Sequence, residues 1–384
     1  MIRAIMLYGL NTARGDLEAC LKSCSANGVN AIRFFINYLD NDNGAVNPLC
    51  PYVAIGSWNP GKLAGQADQD HYVPMYDLSH RNPAFTARLT LIASLMSKYL
   101  LMPWIVFDDV CSEAEGWKQF LDPNYSNTLA YPKWSEGNIT RMIGGGNQAV
   151  ELNPYREQLE REVLATFKAA GCSTIYGEVK NEYGYEPGPA YSLDDELKWY
   201  ETRAKSLWGM GENGWIIGSA RPPIETLIEP YVSFYDQHQI IIPEDIAKHP
   251  NSDPPRLIIL NTDGGQGAGP IVSAWGGRTI SVDQATALGK AVLDSGYAGW
   301  CIIPQECFDS KNLPMNLDVI DYAPFKAMAL SSGWTVPQTQ PDPHPQPPVP
   351  PPNPPPAPTP VKHGFWYYIA HGNFKKAFKI LFGG

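Results

Sequence analysis

The chain has 384 residues, of which 44% are hydrophobic and 18% are charged, and its formal net charge is −10 at pH 7. The last 23 residues carry +4 from four lysines, and Asp342 is the only charged residue between 335 and 361, so residues 1–334 carry about −13. This acidic body argues against nucleic acid as a partner, because phosphate contacts require clustered lysine and arginine.

Strand-length apolar segments alternate with amphipathic segments about eight times along the chain. The apolar segments are rich in Ile, Val and aromatic residues and are mostly bounded by Gly, Pro or Asn, which is typical of strands. They are 3–10, 29–38, 102–110, 173–179, 214–220, 231–238, 256–262 and 297–304. Helices are predicted between them at 15–27, 83–101, 153–170, 193–209, 281–295 and 320–332. Gly28, Gly171 and Gly296 are predicted to end three of these helices.

The alternation implies parallel strands, and strands buried on both faces read as nearly continuous apolar runs. The pattern therefore favours an α/β fold, a closed (β/α)₈ or TIM barrel, over residues 1–334. A doubly wound open sheet is the alternative. It is less favoured because the first strand is followed by YGLN, residues 8–11, and not by a glycine-rich phosphate-binding turn.

Two long insertions, 39–81 and 111–150, follow the second and third predicted strands. Both therefore lie on the C-terminal face of the barrel, where active sites are built. Their aromatic residues, including Trp58 and Trp117, are predicted to bind substrate by stacking on sugar rings. The alternative is that they fix long loops to the barrel.

The composition changes abruptly after Trp334. Residues 335–361 contain 14 prolines in 27 positions, which predicts an extended proline-rich linker. Residues 362–384 form a basic aromatic tail, whose apolar side chains recur at helical spacing from Asn373 to Phe382. Such a tail is predicted to contact a membrane surface or a protein partner, and a disordered tail is the alternative.

The seven cysteines are scattered and show neither a CxxC pair nor the spacing of zinc ligands, so we predict free thiols, no metal and no cofactor. The segment MIRAIMLYGLN has no apolar run followed by a cleavage site, and the chain has no stretch of 18 apolar residues. These patterns predict cytoplasmic synthesis without a visible signal peptide and without a membrane span. A virion- or surface-associated location is one hypothesis for where the protein acts.

Carboxylates lie at the C-terminal ends of several predicted strands, within the sixth strand in the case of Asp236, at the face of a barrel where catalytic groups lie. They are Asp108, Asp109, Glu182, Asp236, Asp263 and Glu306. Cleavage of a glycosidic bond requires one carboxyl group that donates a proton and a second that stays ionised. A helix cap or a loop ion pair is the structural alternative for any single one of them.

Five segments carry a resemblance to a known family. They are YGLN at 8–11, GVNAIRFF at 28–35, GEVKNE at 177–182, VSFYDQH at 232–238 and LIILNTDGG at 257–265. In order and spacing they resemble the clan A retaining glycoside hydrolases, the cellulase and mannanase type, over nearly all of residues 1–334. The resemblance implies a TIM-barrel glycosidase that acts on a poly- or oligosaccharide.

The resemblance also implies roles for single residues. Glu182 matches the acid/base glutamate of the fourth strand, and Asn181 matches the substrate-binding asparagine before it. Arg33 matches an arginine that orients and ionises the nucleophilic carboxylate, and it is predicted to help position the sugar as a substrate-binding residue. His238 falls where the clan keeps a histidine near the sugar.

The sequence departs from the clan pattern at the seventh strand, where Asp263 stands in place of the nucleophilic glutamate. Aspartate is one methylene shorter than glutamate. On an unchanged backbone its carboxylate would therefore lie farther from the acid/base carboxyl group than the roughly 5–5.5 Å that a covalent intermediate needs. Three interpretations follow. Asp263 is the nucleophile on an advanced strand end, Glu306 takes over this role, or the barrel binds carbohydrate without cleaving it, as a structural protein attached to a virion or surface.

Overall fold

The computed structural model describes residues 1–7, 9–36, 49, 51–58, 73–107, 153–178, 202, 214–218, 232–237, 242–248, 251, 255–260, 280–307 and 315–337. The strands in these ranges are β1 (Ile2–Met6), β2 (Ala31–Phe35), β3 (Tyr52–Trp58), β4 (Val73–Arg81), β5 (Met102–Val106), β6 (Ile175–Glu178), β7 (Gly214–Gly218), β8 (Val232–Gln237), β9 (Arg256–Leu260) and β10 (Gly299–Ile302). The α-helices are α1 (Leu17–Ala26), α2 (Pro83–Lys98), α3 (Asn153–Ala169), α4 (Pro243–Lys248), α5 (Val282–Asp294) and α6 (Ala323–Ser331). Two short 3₁₀ helices span Gln305–Cys307 and Leu317–Val319.

Eight of the described strands form a closed barrel in the order β1-β10-β9-β8-β7-β6-β5-β2. All eight neighbouring pairs are parallel. Strand β1 closes the barrel by pairing with β10, from Ile2 opposite Gly299 to Ile5 opposite Ile302. Each predicted strand coincides with one of these barrel strands. The prediction of a (β/α)₈ barrel is therefore confirmed, and the doubly wound sheet is wrong.

Five of the six predicted helices are confirmed as α1, α2, α3, α5 and α6. The sixth, 193–209, lies outside the described residues except for Thr202. Local side chains begin the helices as their sequences indicate: Asp16 accepts a hydrogen bond from the Ala19 N–H at the start of α1, and Ser281 forms a capping box with Gln284 at the start of α5.

The same left-handed turn ends five of the described helices. The turn residues are Gly28, Leu100, Gly171, Gly296 and Gly333, and all have positive φ. In each turn the N–H of this residue bonds the carbonyl three residues earlier, and the next N–H bonds the carbonyl five residues before it. The predicted helix ends at Gly28, Gly171 and Gly296 are therefore confirmed. Leu100 is the non-glycine member, with φ at +56°.

The insertion 39–81, which the sequence analysis describes as a loop, contains an antiparallel hairpin made of β3 and β4. Tyr52 of this hairpin is 1% exposed, and its hydroxyl donates a hydrogen bond to the Tyr155 carbonyl of α3 at 3.3 Å. The Arg81 guanidinium lies 4.5 Å from the Tyr52 ring centroid and forms an ion pair with Glu162 of α3 at 2.6 Å. Tyr52 therefore fixes the insertion to the barrel.

The chain divides into the units Met1–Val336 and Pro337–Gly384. The barrel lies in the first unit. The predicted linker, beyond its first three residues, and the predicted tail lie outside the described residues, and their boundaries stay predictions. Among the helices that the structure describes, none has the length and apolar character required to cross a membrane.

Candidate active site

The candidate site residues are distributed unevenly over the described ranges. Arg33 lies in β2, Trp58 is the last residue of β3, and Glu306 lies in the first 3₁₀ helix, after β10. The remaining candidates lie outside the described residues; they are Trp117, Asn181, Glu182, His238 and Asp263.

The Arg33 side chain lies inside the barrel. Its neighbour Phe34 packs outward on Phe167 of α3, with ring centroids 6.0 Å apart. Because successive side chains of a strand point to opposite faces, Arg33 and Phe35 face the lumen. Met6 of β1 and Trp104 of β5 are the register partners of Arg33 and share its face. The lumen side chains that neighbour Arg33 on β1 and β5 are thus apolar or aromatic.

Glu178, the last residue of β6, is the counter-ion of Arg33. Arg33 Nε donates to Glu178 Oε2 at 3.0 Å, and Arg33 Nη2 donates to Oε1 at 2.7 Å. Trp104 Nε1 donates a further hydrogen bond to Oε2 at 2.7 Å. Both charged side chains are 0% exposed. This is a bidentate, fully buried ion pair with a third donor on the same carboxylate, the strongest arrangement that arginine and carboxylate form.

Aromatic and sulfur groups surround the guanidinium. Its Cζ lies 5.2 Å from the Trp104 ring centroid and 5.3 Å from that of Phe35. Arg33 Nη1 donates to Met6 Sδ at 3.0 Å. Phe234 of β8 packs edge-on against Trp104, with ring centroids 5.9 Å apart. We call Arg33, Glu178, Trp104 and Phe35 the lumen cluster.

Glu178 is not among the site residues predicted from the sequence. It lies in the quoted segment GEVKNE, but the resemblance singles out Glu182 and assigns Arg33 to the nucleophilic carboxylate. One signal was present in the sequence. An arginine and a glutamate inside strands that are buried on both faces require partners, because an isolated buried charge is very costly. Two opposite charges within such strands could therefore have been paired in advance.

Glu306 has a structural contact of its own. Its Oε1 accepts a hydrogen bond from the backbone N–H of Asp321 at 2.9 Å, and Asp321 in turn accepts from the Ala323 N–H at the start of α6. The Glu306 side chain is partly exposed. This contact fixes the segment that leads into α6, as a loop hydrogen bond does. A catalytic role for Glu306 stays a prediction.

The loop after β1 is held by buried polar contacts. The Asn11 side chain is 0% exposed, and its Nδ2 lies 3.5 Å from the Ile36 carbonyl, directly after β2. Arg88 of α2 donates from Nη2 to the carbonyls of Leu10 and Ala13 at 3.4 and 3.3 Å. The first loop of the C-terminal face is thereby fixed to β2 and to α2.

Thiols cluster between α1 and the start of α6, away from the lumen cluster. Tyr322 donates a hydrogen bond to Cys20 Sγ at 3.3 Å. A hydrogen bond with Cys24 lowers the pKa of Cys20, whereas burial raises the pKa of Cys24 well above its usual range. Within the described ranges the cysteines are free thiols, and no group of three or more metal-ligating side chains is found. Cys50 and Cys111 lie outside these ranges.

The whole barrel is similar to solved structures of glycoside hydrolases. The family 5 mannosidase from Rhizomucor miehei matches with a TM-score of 0.54 at 11% identity, over 86% of this chain and 93% of its own. A mutant of that mannosidase in complex with mannosyl-fructose matches with a TM-score of 0.50 at 10% identity, with the same coverage. The chain has the fold of a glycoside hydrolase.

This fold agrees with the resemblance drawn from the five sequence segments, which is confirmed at the level of fold. The β-mannanase from the blue mussel Mytilus edulis also matches, with a TM-score of 0.48 at 10% identity over 87% of this chain and 92% of its own. No protein-family model matches the sequence, and no curated protein matches it.

Proposed function

We propose that the protein is a glycoside hydrolase that cleaves a poly- or oligosaccharide by two-carboxylate catalysis. Glu182 is the general acid/base, Asp263 is the second carboxylate, and Asn181, His238, Trp58 and Trp117 bind the sugar. The observation that carries the proposal is the lumen cluster. A glycoside hydrolase fold here holds a buried, oriented arginine paired with Glu178, four residues before Glu182 in the same segment.

The chemistry requires the two carboxylates to differ in protonation. A carboxyl group that donates to the leaving oxygen must stay protonated, and the second must stay ionised to attack or to activate water. A fixed guanidinium favours the ionised form of a nearby carboxylate. Glu306 is kept as the alternative second carboxylate, with inverting chemistry if the separation from Glu182 is about 6.5–9.5 Å.

The substrate class is proposed to contain mannose. This proposal is supported by the similarity to the family 5 mannosidase from Rhizomucor miehei, one structure of which is in complex with mannosyl-fructose. Mannans are therefore the first polymers to test, followed by β-glucans, xylans and chitin-type polymers. Aromatic rings on the C-terminal face are suited to bind any of these by stacking, so the test must include all four.

The experiment measures release of reducing sugar by the wild type and by three variants, Glu182→Gln, Asp263→Asn and Glu306→Gln. Glu244→Gln, at an exposed glutamate in the first turn of α4, is the matched control. We expect release to fall by about 100-fold or more in Glu182→Gln and in one of the other two, since general acid and nucleophile each carry such a factor. The control keeps wild-type release.

A second candidate function is carbohydrate binding without hydrolysis. It is favoured by one specific observation, the aspartate at position 263 where the resembled clan has a glutamate. In that case the wild type releases no sugar from any polymer but is retained by one of them in affinity electrophoresis. Retention that is unchanged in Glu182→Gln would then assign the barrel to binding alone.

A further inference from the structure

Glu178 carries more contacts than a simple counter-ion requires. Both of its oxygens bond Arg33, and Oε2 also accepts from Trp104 Nε1 at 2.7 Å. The two parallel bonds fix the plane of the guanidinium. Its Cζ lies 5.2 Å from the Trp104 ring centroid and 5.3 Å from the Phe35 ring centroid. Arg33 is thus held in one orientation by groups from β2, β5 and β6.

The cluster lies toward the C-terminal end of the lumen. Glu178 ends β6 and is the register partner of Val106, the last residue of β5. Arg33 lies two residues before the end of β2. Active sites of such barrels are built at this end, from residues that follow the strands. Only three residues separate Glu178 from Glu182 in the chain.

Stability alone does not explain a fully buried ion pair. Two ions lose their hydration on burial, and apolar side chains of similar volume give equal or greater stability in such sites. The side chains around the ion pair are of this apolar kind, including Phe35, Val106 and Trp104, all at most 2% exposed. The retained charges therefore call for an explanation in the chemistry of the site.

We propose that Glu178 is a positioning residue, which holds the Arg33 guanidinium in place and balances its charge for the carboxylates at the mouth of the barrel. The proposal rests on the proposed glycosidase function and extends it to a residue that contacts no substrate. Glu178 acts through Arg33. Its loss frees the guanidinium to turn and leaves one positive charge unbalanced in a medium of low dielectric constant.

The charge balance gives the proposal a signature in the pH profile. In Glu178→Gln the uncompensated Arg33 favours the ionised form of nearby carboxylates and lowers their pKa. Both limbs of the kcat/KM profile therefore move to lower pH, by about one unit. In the double variant Arg33→Met with Glu178→Leu the lumen is neutral again. Its limbs return toward the wild-type positions, while kcat stays low because the guanidinium is absent.

The experiment compares the wild type, Glu178→Gln, the double variant and a control, Tyr176→Phe. The control removes a lumen hydroxyl whose described contact is Met102 Sδ at 3.6 Å, not the lumen cluster. In Glu178→Gln we expect kcat to fall by about 10- to 100-fold with KM within about threefold, as for lost transition-state orientation. The control keeps kcat and both pH limbs.

The outcomes distinguish the role of Glu178 from the proposed function. A Glu178→Gln variant with wild-type kcat and unmoved limbs overturns the positioning role. If Glu178→Gln does not fold, the double variant decides, because a folded double variant with wild-type kcat also overturns it. If the wild type releases no sugar from any polymer, the proposed function itself is ruled out. If the wild type is active and Glu178→Gln is unaffected, only the role of Glu178 is ruled out.

Discussion

Arg33 Nη2 lies 2.7 Å from Glu178 Oε1, and neither side chain has any exposed surface. Replacing Arg33 by Met leaves a buried carboxylate without its counter-ion, which costs about 3–5 kcal/mol of unfolding free energy. The double variant Arg33→Met with Glu178→Leu removes both charges and is expected to recover to within about 2 kcal/mol of the wild type. Urea denaturation measures all three free energies.

The matched control is the exposed pair of Lys290 and Asp294 on α5, whose side chains are 71% and 60% exposed. Asp294→Ala is expected to change the unfolding free energy little, because solvent screens such pairs. A double variant as unstable as Arg33→Met would show that the barrel needs the charges themselves and would contradict this prediction.

Leu100 adopts the left-handed conformation at a helix end where four other helices have glycine, and its side chain is 86% exposed. Leu100→Gly removes a steric cost and loses little burial, so it is expected to stabilise the protein by about 0.5–1 kcal/mol. Leu100→Ala keeps the β-carbon and is the control. Equal stabilities of the two variants in urea would show that the turn is not strained.

Gly299 lies where the barrel closes. A β-carbon at this position would overlap the Ile2 carbonyl oxygen, which belongs to the backbone of the partner strand. Gly299→Ala is therefore expected to cost about 3 kcal/mol, because the two strands must separate. Gly296→Ala, with Asn251 no nearer than 3.7 Å, should cost only about 1 kcal/mol, from its positive φ. Similar thermal midpoints for both variants would argue against the tight closure.

Alkaline pH should weaken the fold through buried groups that stay protonated. Burial raises the pKa of Cys172 to about 11, whereas an unfolded thiol ionises near about 8.5. Between these values the unfolded state binds fewer protons, so stability is present below the unfolded pKa and falls as pH rises. Burial raises the pKa of Tyr176 to about 12, and the same loss begins near about 10.

The measurement is the unfolding free energy in urea from pH 8 to 11. One group with a fully shifted pKa lowers the unfolding free energy by about 1.4 kcal/mol per pH unit. Cys172→Ala should therefore make the decline between pH 8.5 and 11 shallower by a fraction of that slope. Tyr176→Phe should flatten it only above pH 10. A decline that is identical in both variants and the wild type would assign the alkaline weakening to other groups.

The C-terminal segment is expected to locate the protein and not to take part in turnover. A chain ending at Pro337 keeps Trp334, whose N–H bonds the Ala329 carbonyl at 2.9 Å, and should retain full sugar release.

The full chain should sediment with anionic lipid vesicles, since each lysine near such a surface contributes about 1 kcal/mol of binding free energy. Replacing Lys375, Lys376 and Lys379 by Gln should abolish this. Binding that survives the triple replacement would point to the aromatic residues.

The sequence was sufficient for the barrel because its strands are buried on both faces and its helices end at glycines such as Gly28 and Gly171. These are local signals, read within about ten residues. The pairing of Arg33 with Glu178 joins residues 145 apart and depends on the register of β2, β5 and β6. Register is a property of the assembled sheet, so the resemblance alone assigned Arg33 to a different carboxylate. The β3–β4 hairpin was not predicted because its two strands belong to an insertion outside the alternation of barrel strands and helices.

The pairing of β1 with β10 also affects the synthesis of the protein. Gly299 is added to the growing chain 297 residues after its partner Ile2. At bacterial to eukaryotic elongation rates this delay is about 15–60 s. During that time the edge of β1 that pairs with β10 has no partner strand, and such unpaired edges can form hydrogen bonds with other chains and lead to aggregation. A chaperone that covers β1 while the chain is still being synthesised is therefore expected to raise the yield of the barrel more than one that acts after release.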